Sequence, residues 1–273
     1  MPSNPHGTVR EGRSLRVLVA EDNEVNQALA ARLLANRGHH AVIVSTGREA
    51  LDAWERDGFD LILMDVQMPQ MDGLAATAAI RLKEQGTARR TPIVALTANA
   101  SAADEARCLG AGMDALIAKP VRVEAFYDVI ARVLTPGDPD ADAATAASTH
   151  PAVHDASRSD VFDVTAALEA VDGERELLHG MIGIFVRQTP RVMSDIDAAL
   201  AAGDASALAM AAHKLKGSVA MFGANAAREA AQRLEDLAEA ADLADAADAR
   251  ARLGEEVTRL HAALEALAAG DAR

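Results

Sequence analysis

Five side chains able to handle a phosphoryl group stand at the ends of short apolar runs. Glu21 and Asp22 close "VLVAED", Asp65 closes "LILMD", Thr97 closes "IVALT" and Lys119 follows "ALIA". Three carboxylates brought together repel one another unless a cation neutralises them. An all-oxygen donor set suits Mg²⁺, which keeps several waters and leaves room for a phosphoryl group. Lys119 and Thr97 then offer a charge and a hydroxyl to the remaining phosphoryl oxygens. Asp65 is the central carboxylate, because Glu21 and Asp22 share one loop, and an aspartate can attack phosphorus to give an acyl phosphate. Each residue also has an ordinary explanation: Asp22 as the N-cap of a helix starting near Asn23, Glu21 as a solvated loop acid, Thr97 as strand-end packing, and Lys119, before Pro120, as a turn residue. Their joint placement at successive run ends favours chemistry.

A second candidate lies in "AAHKLKGSVAMFG", residues 211–223. Leu208, Ala212, Leu215, Val219 and Phe222 recur at alternating four and three, which makes one apolar helical stripe and points His213 away from it, towards solvent. Lys216 and Gly217 follow at three and four residues, on the same surface as His213. A lysine there can neutralise phosphate, whereas a glycine costs a helix ~1 kcal/mol relative to alanine unless something must approach closely. An imidazole is mostly neutral near pH 7, which frees one ring nitrogen to attack a phosphoryl group. A lone histidine is as readily a surface residue; the flanking "KLKG" is what shifts the balance. His179 and His261 read as ordinary helical residues, and His6, His39, His40, His150 and His154 fall at ends, turns or a tether.

Two kinds of element must hold these groups. Upstream, "LRVLVA", "HAVIVS", "DLILMD", "PIVALT" and "DALIA" each precede an amphipathic segment. Five strand–helix repeats imply a parallel sheet covered on both faces, with ligands collecting beyond the carboxyl ends of the strands. Downstream, no strand-like run appears, and Ala, Leu and charged residues recur at helical spacing over 161–270. Thr189 and Asp204 suit N-caps and Pro190 a first helical turn, which suggests an antiparallel bundle. Between them, residues 135–160 are rich in Ala, Asp, Ser and Pro and nearly free of large apolar side chains, as expected of a flexible linker. The expected organisation is a disordered N-terminus over 1–14, an α/β domain over 15–134, the linker over 135–160 and a helical domain over 161–270.

Composition narrows the function. With 41 acidic against 27 basic residues, a formal net charge of −14 and 3% aromatics, the chain lacks the basic stripe and stacking rings of a nucleic-acid-binding protein. Cys108 is the only cysteine, so no intrachain disulfide can form and a reducing cytoplasm is the natural compartment. No apolar run approaches the ~20 residues that cross a bilayer, and residues 1–14 lack the apolar centre of a signal peptide. Direct membrane insertion is not expected.

The segments "VLVAEDN", "LILMDVQMPQMDG", "ALTA" and "AKP", in that order across residues 15–134, resemble the receiver domain of two-component response regulators. The resemblance implies a flavodoxin-like sheet of order 2-1-3-4-5. It makes Asp65 the phosphoacceptor, Glu21 and Asp22 the Mg²⁺ ligands together with Asp65 and the backbone carbonyl of Gln67, Thr97 the switch hydroxyl, and Lys119 the phosphate-binding lysine before a cis Pro120. Leu116 departs from the pattern, standing where the family often has a rotating Tyr or Phe. The stretch around His213 is similar to the histidine phosphotransfer (HPt) domain, a four-helix bundle often preceded by a short helix, for which "VFDVTAALEAV" is the candidate. That resemblance makes His213 the phosphohistidine, Lys216 its charge partner, Gly217 the clearance residue and Gly223 the turn after the helix.

Together the two resemblances imply a phosphorelay intermediary like the C-terminal part of a hybrid sensor histidine kinase. A sensor histidine kinase would supply the phosphate to Asp65, and His213 would pass it to a downstream response regulator. Neither resemblance brings an ATP site. A 26-residue flexible tether has an end-to-end distance on the order of 30 Å, which favours transfer in cis without a permanent interface. A phosphate sink or interaction scaffold is the alternative. An aspartate-based phosphohydrolase ranks below both, because such enzymes typically carry a second aspartate where this chain has Gln67.

Overall fold

Residues 13–87, 89–98, 101–134 and 161–270 are described by the computed structural model. The expected linker over 135–160, most of the segment 1–14, and His6, His150 and His154 lie outside them.

The five apolar runs become parallel strands: β1 (Arg16–Ala20), β2 (His40–Val44), β3 (Leu61–Asp65), β4 (Ile93–Thr97) and β5 (Ala115–Ala118). They pair in the order β2-β1-β3-β4-β5. β3 and β4 are buried along their whole length, as continuous hydrophobic runs in a doubly covered sheet should be, while no residue of edge strand β2 is fully buried. Successive side chains point to opposite faces. Val17, Val19, Leu61, Leu63, Val94, Leu96, Ala115 and Ile117 therefore join one hydrophobic cluster, and Leu18, Ala20, Ile62, Met64, Ile93 and Ala95 the other. The connecting helices are α1 (Glu24–Asn36), α2 (Gly47–Arg56), α3 (Gly73–Glu84), α4 (Ala102–Gly110) and α5 (Val123–Leu134). Asn23, Thr46, Asp72 and Ser101 cap the first four through side-chain oxygens. The N-cap of α1 is thus Asn23, which leaves Asp22 free of that duty.

The C-terminal region holds α6 (Val164–Glu169), α7 (Arg175–Ala202), α8 (Ala205–Ala220), α9 (Asn225–Glu239) and α10 (Ala246–Gly270). The short α6 is the helix expected from "VFDVTAALEAV", and the four long helices form the bundle. Asp204 caps α8 as expected. Thr189 and Pro190 do not start a helix: α7 runs through them for 28 residues. An interior proline costs a helix ~3 kcal/mol. Here the buried stripe Leu178, Met181, Ile182, Phe185, Val192, Ile196 and Ala199 continues on both sides of it, and that burial outweighs the cost. The Thr189 hydroxyl donates to the Phe185 carbonyl at 2.6 Å, back-bonding within the helix instead of capping it.

The two regions pack directly on each other. The hydrophobic cluster on the α1/α5 side of the sheet continues without a break into the bundle. An interface therefore exists where the tether argument expects transient encounters. No helix among the described residues is long and apolar enough to cross a membrane.

Candidate functional site

At the carboxyl edge of the sheet, Glu21, Asp22 and Asp65 each present a carboxylate oxygen, all within 4.8 Å of one another. Glu21 and Asp65 are 1% and 2% exposed. Lys119 Nζ lies 2.7 Å from both Glu21 Oε2 and Asp65 Oδ2. Apart from these ion pairs, those two oxygens have no hydrogen-bond partner among the described residues. One ammonium cannot balance three acids. Burial, followed by Glu21, holds the Asp65 carboxyl well above the usual carboxylate range, with Lys119 pulling against it. Burial and Glu21 likewise raise Asp22, opposed by Lys214, Lys119 and His213. Burial also works against the charge on Lys119, but Asp65 and Glu21 outweigh it and hold the proton more firmly than in an ordinary lysine.

Local backbone sets this edge. The Lys119–Pro120 bond is cis, and Lys119 N–H donates to the Thr97 carbonyl at 2.7 Å, which ties the ends of β4 and β5 together. Gly73 opens α3 directly against the end of β3: a Cβ there would lie 2.0 Å from the Asp65 carbonyl oxygen. The glycine of "MPQMDG" is thereby explained.

His213 does not face open solvent. Its side chain is 13% exposed, because the region containing Asp65 covers that face of α8. Nδ1 lies 2.7 Å from Glu235 Oε1. The same carboxylate receives Lys216 Nζ at 2.5 Å on Oε2, and Lys216 also donates to Gln232 at 3.0 Å. In a neutral ring whose Nδ1–H donates to Glu235, the lone pair sits on Nε2, and Nε2 makes no hydrogen bond among the described residues. Burial by itself would raise Glu235, but hydrogen bonds from His213 and Lys216 outweigh it and hold the carboxyl below its usual range.

One cleft of about 360 Å³ collects most of the expected residues: Glu21, Asp22, Asp65, Lys119, Pro120, His213, Lys216, Gly217 and Gly223 all line it. Thr97 is buried at the end of β4, with its neighbour Ala98 on the cleft wall. Gln67 lines a smaller adjoining cleft that shares Asp22 and His213 with the first. Leu116 packs, partly buried, against the second cluster of the sheet. Gly217 has its clearance partner within the chain: a Cβ would lie 3.4 Å from Asn23 Nδ2 and 3.6 Å from Asn26 Nδ2. Gly223 has φ +64° and would bring a Cβ to 2.9 Å from Asp163 Cβ, so both its conformation and its packing require glycine.

Sequence reasoning missed the residues that join the two halves. Asn23 caps α1 through Oδ1 while Nδ2 donates to the Lys214 carbonyl and to Ser218 Oγ, both at 2.8 Å. Lys214 Nζ stands 4.0 Å from Asp22. Glu235 left a faint signal, as an acid within the buried α9 stripe of Ala227, Ala231, Leu234 and Ala238; a buried acid on an apolar face needs a partner.

Residues 17–131 match the family model of the response regulator receiver domain. Residues 180–270 match that of the Hpt domain. Among curated relatives, the sensor histidine kinase GacS of Pseudomonas protegens is 34% identical over 86% of this chain and 25% of its own. The signal transduction histidine-protein kinase BarA of Shigella flexneri is 30% identical over 81% of this chain and 24% of its own. The chain therefore spans about a quarter of the length of these relatives. Among solved structures, the receiver domain of a sensor histidine kinase of Pseudomonas aeruginosa, with magnesium coordinated in its active-site cleft, is 38% identical over 45% of this chain and 98% of its own, with a TM-score of 0.41.

Proposed function

Since the chain belongs to the response regulator receiver family over residues 17–131 and to the Hpt family over 180–270, we propose that it is a phosphorelay intermediary that takes a phosphoryl group on Asp65 and exchanges it with His213. The observation that carries this reading is the shared cleft, with Asp65 on one wall and His213 on the other. The donor in this account is a sensor histidine kinase and the final recipient the receiver domain of a downstream response regulator.

Glu21, Asp22, Asp65 and the Gln67 carbonyl are the residues that would hold Mg²⁺. Their all-oxygen character and the acid excess around Lys119 fit that ion. When bound, it neutralises charge on the transferring group. The chain's own groups do the rest. In loading, an Asp65 carboxylate oxygen bonds to phosphorus as the donor's leaving group departs, and Lys119 supplies positive charge to the phosphoryl oxygens. In transfer, the Nε2 lone pair of His213 attacks phosphorus while the bond from phosphorus to the Asp65 oxygen breaks. The electron pair returns to the carboxylate, which Lys119 receives. The phosphorylated ring retains its Nδ1 proton and gains positive charge, which Glu235 offsets at 2.7 Å. Lys216 keeps that carboxylate in place.

The test is to incubate the full chain with Mg²⁺ and a small acyl phosphate. Base-stable phosphohistidine and base-labile aspartyl phosphate are then followed in the unsubstituted protein, Asp65→Asn and His213→Gln. The relay predicts both species in the first, neither in the second and only aspartyl phosphate in the third. Phosphohistidine in Asp65→Asn at the unsubstituted level would contradict it.

A further inference from the structure

Contact between the two regions is anchored at both ends of α1. At its N-terminus, Asn23 bonds to α8. Toward its C-terminus, Arg32 reaches Glu174 Oε2 with Nη2 at 2.8 Å and Nε at 3.2 Å, and Asn36, one turn further on, donates to Glu174 Oε1 at 2.6 Å. Both carboxylate oxygens are thus engaged by two residues on one face of the helix. Arg32 stands nine positions after Asn23, about 13.5 Å along a helix. Between the two polar anchors α1 packs on the bundle through the shared hydrophobic cluster, and the anchors add directional contacts at both ends that fix the alignment of the acid cleft with His213.

Glu174 occupies an unusual place for this work. It is the N-cap of α7, a position favoured by short oxygen side chains, yet its own side chain makes no capping bond. The longer side chain reaches across to α1 instead. Hydrogen bonds from Arg32 and Asn36 hold its carboxyl below the usual range. Side-chain exposures of 50% for Arg32 and 31% for Glu174 make the pair a weak source of affinity. An exposed charge contact at the edge of an interface acts instead on which partner fits, because a like charge opposite it is repelled.

We propose that Glu174, read by Arg32 and Asn36, is a specificity-determining contact that selects which receiver surface docks over His213, and that it favours the receiver of this same chain. The proposal rests on the relay reading for its consequence but not for its docking geometry. None of the three residues lines the cleft, so their effect is on partner choice and not on the reacting atoms.

A charge swap tests it with two full-length copies. The donor carries His213→Gln, with or without Arg32→Glu, and is loaded on Asp65 with an acyl phosphate and Mg²⁺. The recipient carries Asp65→Asn, with or without Glu174→Arg. On the Glu174→Arg recipient, whose own receiver is repelled, the Arg32→Glu donor should transfer about threefold to tenfold faster than the donor retaining Arg32, and the preference should reverse on the recipient retaining Glu174. Loading of Asp65 by the small donor should be equal in both donors. Equal transfer from the two donors to each recipient would overturn the proposal. Amide hydrogen exchange on the unphosphorylated chain decides the docking independently of any chemistry. Protection of α1 and the first turn of α7 should fall in Arg32→Glu and return in Arg32→Glu/Glu174→Arg. Unchanged protection in Arg32→Glu would refute the contact even if no phosphate moves, whereas absence of transfer between unsubstituted charges with normal protection would count against the relay alone.

Discussion

The two proposed phosphoacceptors are balanced in opposite ways. Around Asp65, three clustered acids, two of them buried, share Lys119, with Lys214 only reaching Asp22 from 4.0 Å, and the carboxyls of Asp22 and Asp65 are pushed up by burial and by Glu21. Around His213, a single buried acid, Glu235, is shared between the imidazole ring and Lys216, and its carboxyl is pulled down. The first site holds more acids than nearby cations, whereas the one acid beside His213 is paired by residues of its own bundle. A carboxylate that accepts phosphate gains negative charge, so it needs a cation from outside. A histidine that accepts phosphate gains positive charge on the ring, which one fixed carboxylate can meet.

Breaking that contrast begins with the metal. Chelation should lower the loading of Asp65 by an acyl phosphate at least about a hundredfold, the scale on which loss of charge stabilisation acts in acyl and phosphoryl transfer. Metal-independent loading, measured by base-labile phosphate, would remove the proposed difference between the two sites. Lys119→Ala comes next: Glu21 and Asp65 left without their shared ammonium should cost about 3 kcal/mol of metal-free stability, read as a lower midpoint in denaturant, with part of the loss restored by Mg²⁺.

The histidine side is sharpened by Glu235→Gln, which keeps an acceptor for Nδ1–H but removes the charge. Transfer to His213 should slow about tenfold while loading of Asp65 is unchanged, as separate quench-flow time courses would show. The pH dependence has a definite sign. Glu235 has a lowered folded-state pKa, so its contribution to stability is fully present above the ordinary glutamate range and is lost as pH falls through the lowered value. Denaturant midpoints compared between the unsubstituted chain and Glu235→Gln should therefore converge at acid pH. The smallest effect is expected at Asn23→Ala, which loses a helix cap and two bonds to α8. It should cost about 1–2 kcal/mol, partly visible as faster amide exchange in α1.

Much of the first site was legible because strand ends are local. An apolar run that stops on Asp65 or Thr97 announces the carboxyl edge of a parallel sheet without knowledge of any distant residue. The sheet order and the short α6 followed from the resemblance and its segments. Long-range partners were illegible. Glu235 lies 22 positions from His213, Glu174 is 142 from Arg32, and Ser218 is 195 from Asn23; no period or spacing connects such pairs. The exposure expected for His213 failed for the same reason. A helical wheel places the ring off the stripe of its own bundle but says nothing of a second region covering it. At Pro190 the local rule for helix starts lost to a buried stripe that ran past it.

The central claim is that phosphate passes between Asp65 and His213 across one cleft, and a single-turnover time course tests it most directly. The full chain is loaded with labelled acyl phosphate and Mg²⁺, freed of donor, and quenched at intervals at two protein concentrations tenfold apart. The account predicts that phosphohistidine rises as aspartyl phosphate falls, at the same rate at both concentrations, as transfer within one chain requires. Decay of aspartyl phosphate to inorganic phosphate with no phosphohistidine at any time would contradict it.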